Sequence, residues 1–401
     1  MSSRSPLSIP EGLPALTLEA SVRVEEMVTL LRERITNAGG TISLADYMDT
    51  TLYAPDIGYY TGGLHKLGKA GDFVTAPEIS PLFGRCLAQQ VAEMLAPLEK
   101  GEVLEVGAGS GALAAELLGT LEKLGVPPYR YLILELSGEL RARQAETLAA
   151  RLPHWADRVE WCTDLPKAGW EGIIVANELL DALPVHRFAL TRQGIMEQRV
   201  GWGENGFEWR SMPTEGHLAS ALDTWYARYG KVLGEVDEYV SELALAAPAW
   251  LTTLAGRLGR GGMLLVDYGY AGREYYHPHR DTGTLSCHYH HHRHDNPLIL
   301  PGLQDITAHV NFTAIAEAAL ATGLEVAGYT TQAYFLIDTG ISDALSSLHS
   351  LDAKTQLSLT NQIRYLTLPQ EMGEIFKVLA LTRGLDGGLL GFRSRDLRNR
   401  L

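Results

Sequence analysis

Two clusters in this chain of 401 residues have the residue types and spacing to do chemistry. The first is the loop Gly107-Ala108-Gly109-Ser110-Gly111, which lies between an apolar run and a helical pattern in VLEVGAGSGALAAELL. Glycine lacks a Cβ, so the backbone can turn tightly there and a ligand can approach closely. The spacing is GxGxG, not the GxGxxG of dinucleotide-binding proteins, which disfavours a nicotinamide dehydrogenase. Glu105 stands two residues before the loop. Glu135 ends the next strand, where a ribose diol would lie at the carboxyl edge of a parallel sheet. The plainer alternative is a tight βα turn with Glu135 as a solvated strand end.

The second cluster is Asn177-Glu178-Leu179-Leu180-Asp181, which begins where a fourth apolar strand ends. If Glu178 starts a helical turn, Asp181 falls three residues on, on the same face. Paired carboxylates beside apolar Leu179 and Leu180 suit a planar guanidinium, which they can hold bidentately. The bland counterpart is a turn capped by Asp181 before Pro184, with Glu178 an ordinary surface acid. Asp72 and Glu78 are further candidate acids. They lie on the Gly-, Pro- and Tyr-rich stretch 53–80, which either closes over a ligand as a lid or is a solvated loop. His277, His279, His288, His290, His291, His292 and His294 crowd one segment, but without HExxH spacing or a CxxC partner. No metal is therefore expected. Asp305-Ile306-Thr307-Ala308-His309 either shapes an acceptor pocket or caps the helix that follows.

These residues need elements to position them. Val24, Met27, Val28, Leu31 and Ile35 recur at helical spacing, and Gly39-Gly40 ends that helix. Ser43-Leu44-Ala45-Asp46 has the form of a capping box, and Ser80-Pro81 opens another helix. From residue 102 strands and helices alternate. Strands are expected at 102–106, 131–135, 159–162, 172–176 and 263–267, and a helix carries Leu113, Leu117, Leu121 and Leu124 on one stripe. Residues 185–210 read as antiparallel strands with a turn at Gly203-Glu204-Asn205-Gly206. Residues 213–256 read as helical, 271–310 as irregular, 311–322 as helix, and 325–329 and 375–381 as strands. The fold class is α/β: a Rossmann-like, mostly parallel twisted sheet with helices on both faces. The expected organisation is a loosely ordered N-terminus (1–20) and an N-terminal helical region (21–100). A ligand-binding domain (101–382) follows, with insertions at 185–256 and 271–310, and then a C-terminal tail (383–401).

Composition narrows the function classes. A hydrophobic share of 46% with 20% charged residues is that of a globular enzyme. The net charge of −14 excludes the basic footprint of a general nucleic-acid or anionic-membrane binder. Cys86, Cys162 and Cys287 are scattered and odd in number, which points to a reducing compartment. No secretory signal and no membrane span is expected, and a cytoplasmic location follows.

The Gly107–Gly111 loop with Glu105 and Glu135 resembles the nucleoside-methionine site of class I methyltransferases. By that resemblance Glu135 accepts hydrogen bonds from both ribose hydroxyls. Asp164, with Leu165 beside it, takes the adenine, and Asn177 lies near the donor methionine. GDFVTAPEIS (71–80), VANELLDALPVHRF (175–188), GGMLLVDYGY (261–270) and GTLSCHYHHHRHDNPLILPGLQDITAHVNF (283–312) occur in this order. Together they resemble the MidA-type family over residues 40–382. Its mitochondrial members are arginine methyltransferases that assist complex I assembly. The resemblance implies S-adenosylmethionine as donor and a protein arginine as acceptor. That arginine would lie on the complex I peripheral-arm subunit matching the mitochondrial 49-kDa subunit and would be dimethylated symmetrically. The matrix is the equivalent compartment in eukaryotes. Two further readings stay open: a methyltransferase for a small molecule or another side chain, and a non-catalytic, cofactor-binding assembly chaperone.

Overall fold

The apolar runs of the βα alternation line up as five parallel strands. In spatial order these are Val159–Cys162, Tyr131–Leu134, Glu102–Val106, Trp170–Asn177 and Leu258–Tyr270. Phe376–Arg383 adds antiparallel to the last of them, and Glu325–Thr331 forms the edge, antiparallel in turn. The short Val310–Asn311 pairs parallel with the end of Leu258–Tyr270. All five residues of Glu102–Val106 are buried, as a strand covered on both faces requires. Val103, Ile133, Ile173, Val175, Leu264, Val266, Val378 and Ala380 share one core with Leu117 and Leu121 of the helix Ala112–Lys123.

This computed structural model describes residues 12–62, 74–233, 237–346 and 352–401. They divide into two units. The sheet above belongs to the unit made of Val74–Leu180, Pro248–Ala271 and Val310–Leu401. The other unit takes the described residues of Met1–Phe73, Asp181–Ala247 and Gly272–His309. The two long stretches between the parallel strands thus group with the N-terminal helices, not with the sheet.

In that second unit the helix Leu18–Asn37 buries Val24, Met27, Leu31 and Ile35. The helix Leu44–Tyr53 opens on the expected capping box: Ser43 Oγ accepts from Asp46 N at 3.0 Å, and Ser43 N donates to Asp46 Oδ2 at 3.3 Å. Its five-stranded antiparallel sheet holds His186–Thr191, Gly194–Gly203, Gly206–Pro213, Glu238–Leu243 and Thr41–Ile42. Gly203 pairs with Gly206 at the expected turn.

Three stretches differ from the sequence reading. Residues 213–256 are not continuous helix. Gly216–Leu233 and Ala246–Ala255 are helical, but Glu238–Leu243 is a strand paired with His186–Thr191. Its Glu242 is fully buried and accepts from Thr284 N at 2.8 Å and Thr284 Oγ1 at 2.9 Å. This long-range partner is invisible to helical periodicity. The segment 271–310 is not irregular throughout, because Ser286–Tyr289, His292–His294 and Asp305–Thr307 form a small sheet. His290 and His291, at φ 44° and 63°, make the turn of its hairpin. The segment after Arg383 packs against the sheet unit: Leu389 and Phe392 enter its core, and Leu397 N donates to Tyr329 O. No helix among the described residues is long and apolar enough to cross a membrane.

Replacing Ser43 by Ala removes the side-chain acceptor from one backbone donor, Asp46 N, at a helix start where Ser43 is 4% exposed. We expect a loss of about 1 kcal/mol of unfolding free energy, read by urea denaturation. An unchanged midpoint would show that the cap contributes nothing.

Candidate functional site

From the strand Glu102–Val106 the chain steps outward to Tyr131–Leu134 and Val159–Cys162. It then returns to the other side of its starting strand as Trp170–Asn177. A sheet that reverses its order in this way leaves a crevice at the carboxyl ends of the two strands flanking the switch. The loop Gly107–Gly111 and the segment Asn177–Leu180 are the residues that follow those two ends.

The glycines of the loop are used as glycines. Gly107, Gly109 and Gly111 have φ 72°, 55° and 81°. A Cβ at Gly107 would stand 3.1 Å from Leu179 Cδ1, so the loop and the segment after Asn177 already touch. Gly111 is the N-cap of the helix Ala112–Lys123. Ser110 Oγ donates to Glu78 Oε1, which fastens the turn Ala76–Ile79 to the loop. Asp72, the other expected acid of this stretch, lies outside the described residues.

Glu135 is 8% exposed. Its Oε1 accepts from Ser137 N and its Oε2 from Gln144 Nε2, both at 3.0 Å. Burial raises its pKa above the ordinary carboxylate range. Glu105 sits deeper, one residue inside the strand end, and accepts from Tyr131 Oη at 2.5 Å. Burial pushes its carboxyl up to about 7. Asp164 is exposed and accepts from its neighbour Thr163 Oγ1 at 3.1 Å, with Leu165 half-buried beside it.

Glu178 does not start a helical turn. It stands at φ 50°, a left-handed conformation that is costly for a residue with a side chain. Its N–H donates to Val266 O at 2.9 Å, and the next two N–H groups, of Leu179 and Leu180, donate to Asp267 Oδ2 at 3.1 and 2.8 Å. One buried carboxylate at the end of the neighbouring strand thus holds the bend. The Glu178 side chain turns to its own surroundings: Oε1 accepts from Asn177 Nδ2 at 3.1 Å and from Ala76 N at 3.2 Å. Asn177 Oδ1 is buried and takes no hydrogen bond from the described residues.

Because the bend is not helical, Asp181 does not share a helical face with Glu178, and it belongs to the other unit. There it is 6% exposed, and its carbonyl accepts from Ala308 N at 2.9 Å. Tyr60 Oη donates to the buried Asp305 at 2.8 Å, and Tyr53, stacked on Tyr60 at 5.5 Å, donates to Ala182 O at 3.0 Å. Burial, and then the charges of Asp305 and Asp181, hold the Tyr60 phenol well above its ordinary range. His288 is pushed down to about 4, first by burial, and so stays neutral near pH 7. Among the described residues no group of three or more His, Cys, Asp or Glu side chains is arranged to hold a metal.

Sequence reasoning missed Asp267 and Gln144. The only signal for Asp267 is an acid ending the apolar strand LLVDYG, and Gln144 has none, since a lone polar residue on a helix reads as surface.

Glu105 gives a pH test. Its folded pKa of about 7 stands above the ordinary 4.5, so its stabilising contribution is complete below about pH 4.5 and is lost as pH rises through 7. The loss is on the order of 3 kcal/mol. Relative to Glu105→Gln, the natural protein should lose stability between pH 5 and 7 in denaturant titrations. Parallel stability curves would remove Glu105 from that balance.

A family of S-adenosyl-L-methionine-dependent methyltransferases matches residues 82–330. The mitochondrial protein arginine methyltransferase NDUFAF7 of Danio rerio is 30% identical, over 86% of this chain and 84% of its own length. That of Mus musculus is 31% identical, over 90% and 85%. A crystal structure of a protein from Burkholderia thailandensis bound to S-adenosyl-homocysteine is 43% identical, with a TM-score of 0.91 over 97% of this chain and all of that one. With a Rossmann-like sheet, a three-glycine loop at its switch point and these relatives, the chain belongs to the MidA-type family of S-adenosylmethionine-dependent methyltransferases.

Proposed function

We propose that this methyltransferase acts on the guanidinium of a protein arginine. The observation that carries the reading is Glu178. It is an acid held in a strained conformation at the carboxyl end of one switch-point strand, beside a residue that touches the glycine loop following the other. The relatives named as protein arginine methyltransferases support the same acceptor.

The residues fit the cofactor. Gly107–Gly111 form a cradle that a Cβ would fill, and Glu135 has lone pairs left for a vicinal diol. Asp164 and Leu165 lie at the end of the third strand, where the adenine would rest. Asn177 Oδ1, which takes no hydrogen bond from the described residues, can accept from the amino group of the methionine moiety. When bound, S-adenosylmethionine supplies an electrophilic methyl group on a sulfonium.

The work of the protein is then placement and proton handling. A guanidinium has a pKa above about 12, so it attacks only when oriented and able to shed a proton. Glu178 accepts guanidinium N–H groups, aims one nitrogen along the methyl–sulfur axis, and favours the positive charge as the new bond forms. Glu78 holds the turn Ala76–Ile79 down on Ser110. Glu78 is the second candidate for the same acid role.

The finer target follows from the family resemblance. It is an arginine on the complex I peripheral-arm subunit matching the mitochondrial 49-kDa subunit, dimethylated symmetrically in the cytoplasm. The net charge of −14 favours a basic partner surface.

The test is to incubate the purified protein, labelled cofactor and that subunit as peptide or nascent chain. Label should appear on arginine. Glu178→Gln should cut turnover about 10²-fold or more while S-adenosylhomocysteine affinity stays within about threefold. Gly107→Val should abolish cofactor binding in calorimetry with an unchanged circular dichroism spectrum. Label only on lysine or on a small metabolite overturns the arginine reading. Binding without any transfer favours the chaperone, and normal turnover in Glu178→Gln removes that residue from the mechanism.

A further inference from the structure

Gln144 is fully buried in the helix Gly138–Arg151, with no charge and no catalytic chemistry of its own. Its side-chain amide is nevertheless used on both sides. Nε2 donates to Gly109 O and to Glu135 Oε2, each at 3.0 Å. Oε1 accepts from Trp161 Nε1 at 2.9 Å. One amide therefore joins the loop after the first parallel strand, the carboxylate after the second, and the indole on the third.

The partners fix which way the amide points. Turned over, its oxygen would face the Gly109 carbonyl and the Glu135 carboxylate, and its NH2 would face an indole N–H. Only glutamine or asparagine offers two donors and an acceptor on one planar group, and asparagine is a methylene too short. The helix is pressed onto the loop at two further points. A Cβ at Gly111 would stand 3.1 Å from Gln144 Cα, and Thr147 Oγ1 donates to Ser110 O at 2.8 Å.

We propose that Gln144 is a positioning residue for the cofactor: it sets the Glu135 carboxylate to receive both hydroxyls of a vicinal diol and locks the Gly109 carbonyl of the loop. The inference rests on the reading that Glu135 takes the ribose. Each carboxylate oxygen spends one lone pair on the protein, Oε1 on Ser137 N and Oε2 on Gln144, and keeps another for the ligand. The Gln144 bond also opposes the effect of burial on Glu135, because it favours the ionised form that accepts two hydrogen bonds.

The experiment compares S-adenosylhomocysteine with its 2′-deoxy analogue by calorimetry from pH 5 to 8, using the full-length protein. Gln144→Met keeps the volume and removes all three hydrogen bonds. Affinity for S-adenosylhomocysteine should fall tenfold or more and that for the deoxy analogue less than about twofold. The acid limb of the binding–pH curve should move to higher pH, and the KM for S-adenosylmethionine should rise more than kcat falls. Trp161→Phe releases the amide from its third partner and should show the same diol-dependent loss in smaller measure. It carries the test alone if Gln144→Met does not fold. Equal losses on both ligands, or an unmoved pH profile, would assign Gln144 to stability only and overturn the proposal. If Glu135→Gln weakens binding and Gln144→Met does not, Gln144 has no positioning role. If Glu135→Gln leaves affinity untouched, the ribose reading itself falls.

Discussion

A parallel sheet that grows outward in both directions from one starting strand has no crossover covering the gap between that strand and its later neighbour. Every candidate site residue of the sheet unit is placed relative to this gap between Glu102–Val106 and Trp170–Asn177. The chain must leave each of these strands at the same edge. It does so through a loop that needs three left-handed glycines on one side and a left-handed glutamate on the other. The close approach of Gly107 to Leu179 shows how tightly the two exits meet.

The cost of this arrangement is carboxylate taken from water, fully at Asp267, Glu135 and Glu105 and partly at Glu178, and each acid meets it differently. Asp267 is offset by three backbone N–H groups, those of Leu179 and Leu180 at one oxygen and of Tyr268 at the other. Glu135 is offset by one backbone N–H and one amide. Glu105 has a phenol, and with so little compensation its pKa rises to about 7. Glu178 is held by an amide and the N–H of Ala76 from the N-terminal stretch. Asp267 and Glu105 lie within their strands, while Glu135 and Glu178 directly follow the ends of theirs.

The second unit solves a separate problem. Its antiparallel sheet recruits the strand Glu238–Leu243 from a stretch of helical character, and the recruitment is anchored by Glu242 binding Thr284. Its buried Asp305 is satisfied by Tyr60 in the same way, through residues 245 apart in sequence. Such bonds fix local geometry strongly, because a buried polar group left unpaired costs more than its hydrogen bond contributes.

The amino-acid sequence alone determined the parallel strands, because both-face burial demands near-continuous apolar runs that no helix of that length needs. It also determined the glycine loop and the capping box at Ser43, which are encoded within a few residues. From these, the fold class and the place of Glu135 at a strand end could be read. Only the tertiary structure decided that Glu178 is bent and not helical, since Asp267, 89 positions on, supplies the acceptor for the bend. Only it could give Gln144 three partners or pull Glu238–Leu243 into a sheet. Periodicity reports which face of an element is apolar. It carries no information about which distant polar group will lie opposite a given side chain, because strand order and register set that meeting.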